Sequence, residues 1–124
     1  MREIWLIGFF AILLVVGFVN HFSYDEIGIA SWYGPGFNGK MTSNGETYDM
    51  NAMTAAHKTL PFNALVKVVD LDTGKSVIVR INDRGPFVPG RIIDLSLAAA
   101  KALGSDKKGI ARVGLKVVQW PDQK

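Results

Sequence analysis

No cysteine occurs among the 124 residues. Its absence excludes a disulfide framework and lipid attachment through cysteine, so the folded part must rest on its own core. Histidine is nearly as scarce, with only His21 and His57, and the carboxylates show no ligand spacing. No metal site and no cofactor are expected on that account. Nor is there a run of Lys and Arg that marks a nucleic-acid surface: Lys107-Lys108 is too short, and the net charge is only +3. So weak a positive balance suits an anionic polymer or a membrane surface. No internal repeat at a solenoid period and no low-complexity tract is found.

What is present begins with an apolar run. Ile4 to Val19 is interrupted only by glycines, follows Arg2 and precedes Asn20-His21. As a helix it would span about 24 Å, short of the roughly 30 Å hydrocarbon core. Residues 1–23 therefore read as an export signal or an uncleaved membrane anchor, with no clear small-x-small cleavage site after the run. Residues 24–124 are expected to form one exported, extracytoplasmic domain, monomeric and tethered or secreted according to the fate of that segment.

Within the domain the pattern is mainly β. Strands are expected at Gly28–Tyr33, Met53–Ala56, Leu65–Val69, Ser76–Ile81, Ile92–Leu95 and Val113–Gln119. Asp72-Thr73-Gly74-Lys75 has hairpin-turn chemistry. Ser96 suits the N-cap of a helix through Leu103, with Gly104 past its end. Gly34 to Asp49, rich in Gly, Asn, Ser and Thr, reads as a long loop, and loops of that length are usually functional or disordered. Six short strands with one or two short helices make a small closed barrel.

One strand ends abruptly in Asn82-Asp83-Arg84-Gly85-Pro86. By alternation Asp83 shares a face with Val77, Val79 and Ile81, while Arg80, Asn82 and Arg84 face the other way. A carboxyl at the edge of an apolar surface is partly desolvated, which raises its pKa and makes Asp83 a candidate general acid. Asp before Gly-Pro is also ordinary turn chemistry. Glu46 on the long loop reads equally as a solvated carboxylate, and His57 as a strand-end imidazole bonded to backbone.

Five blocks taken in order carry a resemblance. They are Gly28-Ile-Ala-Ser-Trp-Tyr-Gly, Thr42-Ser-Asn-Gly-Glu, Thr54-Ala-Ala-His-Lys-Thr-Leu-Pro-Phe, Val79-Arg-Ile-Asn-Asp-Arg-Gly-Pro-Phe and Arg91-Ile-Ile-Asp-Leu-Ser. Together they resemble the rare lipoprotein A family from about Gly28 to Val118. The resemblance implies a six-stranded double-psi β-barrel, which here would follow the N-terminal hydrophobic helix read from the apolar run. It implies a lytic transglycosylase that cleaves the β-1,4 bond between N-acetylmuramic acid and N-acetylglucosamine in peptidoglycan glycan strands, leaving 1,6-anhydro ends.

The same resemblance places the catalytic acid on Asp83, a second functional carboxylate on Glu46, and His57 beside them. The sugar groove would lie between the long loop and the Asp83 turn, with Tyr33, Asn44, Tyr48, Asn82 and Arg84 as substrate-binding residues. Glu46 is expected to stay ionised and to help keep Asp83 protonated. Arg84 should point away from Asp83, toward Asp94, since a guanidinium beside the acid would lower its pKa. Trp32 and Phe87 are expected in the core, Tyr33 and Tyr48 along the groove. The chain departs from the family in lacking the lipidated cysteine. Two other readings keep the barrel: a non-catalytic, expansin-like wall-binding module, and a double-psi glycoside hydrolase.

Overall fold

The computed structural model describes residues 23–122; the apolar segment at 4–19 lies outside them. Six strands form: β1 (Glu26–Trp32), β2 (Thr54–Ala56), β3 (Leu65–Asp70), β4 (Ser76–Asp83), β5 (Arg91–Leu95) and β6 (Ala111–Gln119). They close into a barrel in the order β1-β5-β2-β4-β3-β6, with β1/β5 and β2/β4 parallel and the remaining pairs antiparallel. Closure leaves no free sheet edge, which suits so small a chain without disulfides.

The interior is filled by alternate residues of the strands. Val66, Val68, Val79, Ile81, Ile93, Leu95, Val113 and Leu115 are buried there, and Leu103 of the helix α1 (Leu97–Leu103) joins them. Their β-branched or bulky side chains fit a pleated, half-buried surface. The ends of α1 follow from sequence. Ser96 accepts a hydrogen bond from the Ala99 N–H at 3.2 Å, and Gly104 takes the left-handed conformation at φ 87°. The β3–β4 hairpin turns on buried Asp70, whose carboxylate accepts the N–H groups of Asp72 and Thr73.

Two departures from simple strand alternation position the site. The register between β2 and β4 slips, so that Ala55 pairs with Ile81 but Ala56 pairs with Asp83. Asn82 is the extra residue of this bulge, and beyond it the face of β4 reverses. Asp83 therefore leaves the face of Val77, Val79 and Ile81 and joins Arg80 on the outside of the barrel, contrary to the parity expected from sequence. The second departure is a slip between Ile29 and Ala30 where β1 meets β5. Near it the Ile92 side chain packs onto Gly28, where a Cβ would come within 2.6 Å. Only glycine admits that approach.

Candidate functional site

Strand pairing sets out the site. Ala56 of β2 pairs with Asp83 of β4 on one side and with Asp94 of β5 on the other, and Asp94 pairs in turn with Ser31 of β1. Ser31, Asp94, Ala56 and Asp83 thus form one row across four adjoining strands. Ile93 and Leu95 point into the core, so Asp94 between them faces outward. The two acids stand two strand spacings apart, about 10 Å between backbones, with only the small Ala56 side chain between them.

The segment after β1 closes over this row. It opens with a short 3₁₀ turn at Pro35–Phe37 and then forms a tight hairpin. In that hairpin Tyr48 N–H donates to Lys40 C=O at 2.7 Å, and Thr42 N–H donates to Glu46 C=O at 2.7 Å. Gly45 has φ +91°, which its missing side chain permits. Asn44 holds the tip, its Oδ1 accepting from the Thr42 hydroxyl at 2.6 Å and from Glu46 N–H at 3.1 Å. The expected long loop is therefore an ordered element. Its tip rests on the end of β4.

Asp83 receives that tip. Its Oδ1 accepts the Ser43 N–H at 2.9 Å, the Ser43 hydroxyl at 2.6 Å and the Arg84 N–H at 2.9 Å. Its Oδ2 accepts the Tyr33 hydroxyl at 2.6 Å. Burial pushes the carboxyl up, but the hydrogen bonds from Ser43, Tyr33 and Arg84 together outweigh it and hold Asp83 below its ordinary value. Asp83 is thus held ionised, whereas desolvation alone led to the opposite expectation.

Asp94 behaves the other way. Burial raises its pKa, the negative charge of Asp83 adds to the rise, and the Ser31 hydrogen bond and Arg91 only partly oppose it. Ser31 donates to its Oδ1 at 2.6 Å. Among the described residues Oδ2 of Asp94 has no hydrogen-bond partner. Two neighbouring carboxyl groups with pKa values pushed apart are the usual setting for divided acid–base roles. Asp94 was missed as a site residue in the sequence. The available signal was a carboxylate inside the apolar strand Arg91-Ile-Ile-Asp-Leu, two residues before the helix cap Ser96.

Glu46 is brought close to this pair but does not touch it. Both its oxygens accept from Arg80, Nη2 to Oε1 and Nη1 to Oε2 at 2.8 Å each, and Asn82 Nδ2 donates to Oε1 at 3.1 Å. The Arg80 guanidinium lowers its pKa to about 2, with burial opposing. The expected ionised state holds. Its charge, however, is matched by Arg80 and is poorly placed to keep Asp83 protonated. Glu46 instead pins the hairpin that delivers Ser43.

That role carries a pH signature. A carboxyl whose folded pKa lies near 2 against an ordinary 4.5 stabilises the fold above pH 4.5 and loses this effect as pH falls toward about 2. Wild type should therefore exceed Glu46→Gln in Tm at pH 6, with the gap closing between pH 4.5 and 2. The gap should be modest, because both partners are more than one-third exposed and solvent screens the pair. A gap unchanged across that range would mean the pair adds nothing through its charge.

His57 is placed differently from expectation. Its backbone N–H donates to Asp83 C=O at 3.1 Å, but its buried imidazole turns away from both carboxylates. Nδ1 accepts the N–H groups of Thr59 and Leu60 at 3.1 and 3.0 Å, so the proton sits on Nε2 and is donated to Glu26 at 2.7 Å. Arg84 ties down the same segment. It points away from Asp83, as expected, but toward His57 C=O and Leu60 C=O at 3.1 and 2.8 Å rather than toward Asp94. Its guanidinium also stacks 4.0 Å over the Phe62 ring. Through Nη1, which makes both of those hydrogen bonds, Arg84 positions the chain beside Asp83.

Of the other expected binding residues, Tyr33 alone reaches the acids. Tyr48 is buried, props Tyr33 at a ring-centroid distance of 4.7 Å, and accepts the Leu97 N–H with its hydroxyl. Asn82 is also buried, its Nδ2 committed to Glu46, and the Asn44 carbonyl is spent inside the hairpin. Trp32 packs against the core as expected, but Phe87 does not: the residue is 80% exposed. Buried Gly85 and Pro86 take the inner place in that turn and leave Phe87 outside.

Residues 25–115 match the family described as lytic transglycolase. The endolytic peptidoglycan transglycosylase RlpA of Pseudomonas aeruginosa is 60% identical over 101 residues, covering 79% of this chain and 30% of the relative. That of Helicobacter pylori is 64% identical over 91 residues, covering 73% and 29%. The probable endolytic peptidoglycan transglycosylase RlpA of Synechocystis is 61% identical over 92 residues, covering 74% and 29%. The chain spans about three-tenths of the length of these relatives. Among solved structures, the Streptomyces papain inhibitor matches with a TM-score of 0.61 at 22% identity, over 76% of this chain and 94% of that one. A Clavibacter michiganensis expansin variant in complex with cellohexaose matches with a TM-score of 0.59 at 20% identity, over 79% and 52%. These two likenesses concern the fold.

Proposed function

Because this chain belongs to the lytic transglycolase family of RlpA-like double-psi β-barrels, we propose that its groove cleaves peptidoglycan glycan strands by lytic transglycosylation, with Asp94 rather than Asp83 as the proton donor. The observation that carries this reading is the asymmetry of two acids in one row: Asp83 held ionised by surrounding donors, Asp94 pushed toward its protonated form.

Cleaving the β-1,4 bond between N-acetylmuramic acid and N-acetylglucosamine requires a proton on the leaving oxygen and stabilisation of an oxocarbenium-like centre. Asp94, oriented by Ser31 through Oδ1, delivers the proton from Oδ2 to the glycosidic oxygen. The C1–O bond breaks as the proton arrives. Asp83 keeps its negative charge throughout, because Ser43, Tyr33 and Arg84 already solvate it, and faces the positive charge that develops. The C6 hydroxyl of the same muramic ring then attacks C1, closing the 1,6-anhydro ring, and Asp94, now ionised, takes its proton. One carboxyl therefore serves as acid and then as base, and no water needs to be aligned.

Glu46, Arg80, His57 and Arg84 act by holding the two segments that bracket Asp83. Such a substrate lies in the cell wall, so the domain works outside the cytoplasm, and residues 1–23 serve as its export signal or anchor. The test is mass spectrometry of products from the full chain incubated with purified peptidoglycan. Anhydro-muramic ends are expected. Reducing ends would replace this reading with hydrolysis, and retention on the wall without cleavage would replace it with an expansin-like binding role.

A further inference from the structure

The two most exposed large apolar side chains among the described residues are Met41 and Phe87, each 80% accessible. Both lie on the segments that meet at Asp83. Met41 stands two residues before Ser43 in the hairpin, and Phe87 stands four residues after Asp83 in the turn that follows β4. The Phe87 ring folds back over Gly85, its Cε2 atom 3.5 Å from where a Cβ on Gly85 would sit. One edge of the ring thus lies beside the turn, and most of the residue is open to solvent. Val88 beside it is 48% exposed, and Phe37, which packs on Tyr33 at 5.7 Å between centroids, is 51% exposed.

A charged or hydrogen-bonding ligand has no use for such a rim. A pyranose ring does, since one of its faces presents C–H groups that pack on an aromatic plane while its hydroxyls remain solvated at the edge. We propose that Phe87 is a sugar-stacking platform, taking the apolar face of a pyranose adjoining the cleaved bond. The inference rests on the glycan reading above and adds a residue that binds without taking part in the chemistry.

The experiment measures KM and kcat of the full chain on solubilised glycan strands, with retention on insoluble peptidoglycan as a second readout. Phe87→Ala should raise KM about tenfold, with a much smaller change in kcat, and weaken retention in parallel. Phe87→Trp should restore both. Trp120→Ala, which removes an exposed aromatic outside these two segments, should change neither and so excludes general hydrophobic adhesion. Wild-type KM and retention in Phe87→Ala would overturn the platform while leaving the transglycosylase reading intact. A wild-type chain that neither cleaves nor holds glycan would overturn that reading, and the platform with it.

Discussion

Asp94→Asn is expected to lower the rate of glycan cleavage by about 10³-fold while raising Tm. The loss follows from removing the group that must both give and take a proton in the reaction, a role worth roughly 10²–10⁴ in rate. The gain in stability has a separate cause. Asp94 is held above its ordinary pKa chiefly by burial and secondarily by the charge of Asp83, so at neutral pH its ionised form is disfavoured in the folded state. The sign follows from linkage. A carboxyl with a raised folded pKa binds more protons when folded than unfolded, so the fold loses stability as pH rises through the ordinary value and the raised one. Asparagine has nearly the same shape, accepts the Ser31 hydroxyl, and carries no charge to penalise. Its Tm should therefore exceed that of wild type at pH 7 by on the order of a few degrees, and the two should converge below pH 4. Thermal melts at both pH values beside product analysis test this. If Asp94→Asn cleaves at the wild-type rate, Asp94 is not the donor and the role returns to Asp83.

The surroundings of the two acids show what the sequence could and could not convey. The six strands, the hairpin at Asp72–Lys75 and the cap of α1 were legible because each depends on local chemistry: alternation, turn residues, a serine before a helix. The five ordered blocks supplied the family and with it the barrel. Asp83 was legible as a carboxylate at a strand end. Its surroundings were not, because Ser43 arrives from a hairpin 40 residues away in sequence and Tyr33 from just past the end of β1, 50 away. Desolvation can be guessed from an apolar run, but the donors that overrule it are products of tertiary structure. The bulge at Asn82 likewise reverses a face that strict alternation had assigned, and nothing in the run Val79-Arg80-Ile81-Asn82-Asp83 announces it. Asp94 escaped notice for the opposite reason: a carboxylate in the apolar strand Arg91-Ile-Ile-Asp-Leu was visible, but its place across Ala56 from Asp83 was not. His57, Tyr48 and Arg84 look like site residues when read one by one, yet the hydrogen bonds they make in the structure hold backbone segments.

Asp83→Asn should reduce cleavage by about 10²–10³-fold, the scale of losing one preorganised electrostatic contact to a developing charge. The amide can keep most of the geometry. Its oxygen can still accept from Ser43 and from Arg84 N–H, and its NH₂ can donate to the Tyr33 hydroxyl, which accepts as readily as it donates. The fold should therefore survive while the negative charge disappears. Asp83→Ala should lose activity to a similar degree but also lower Tm, since the Tyr33 hydroxyl and the Ser43 and Arg84 donors lose their common acceptor, at about 1–3 kcal/mol for such groups where they are buried. The pH profile then separates charge from shape. Wild-type activity should fall on the acid side as Asp83, held below its ordinary value, becomes protonated, and on the alkaline side as Asp94 loses its proton at a value above the ordinary one. In Asp83→Asn the acid limb should vanish. The alkaline limb should move to lower pH, because the neighbouring negative charge that helps raise Asp94 is gone. An Asp83→Asn profile that keeps both limbs in place, with Tm reduced as much as activity, would make Asp83 a turn-forming residue and nothing more.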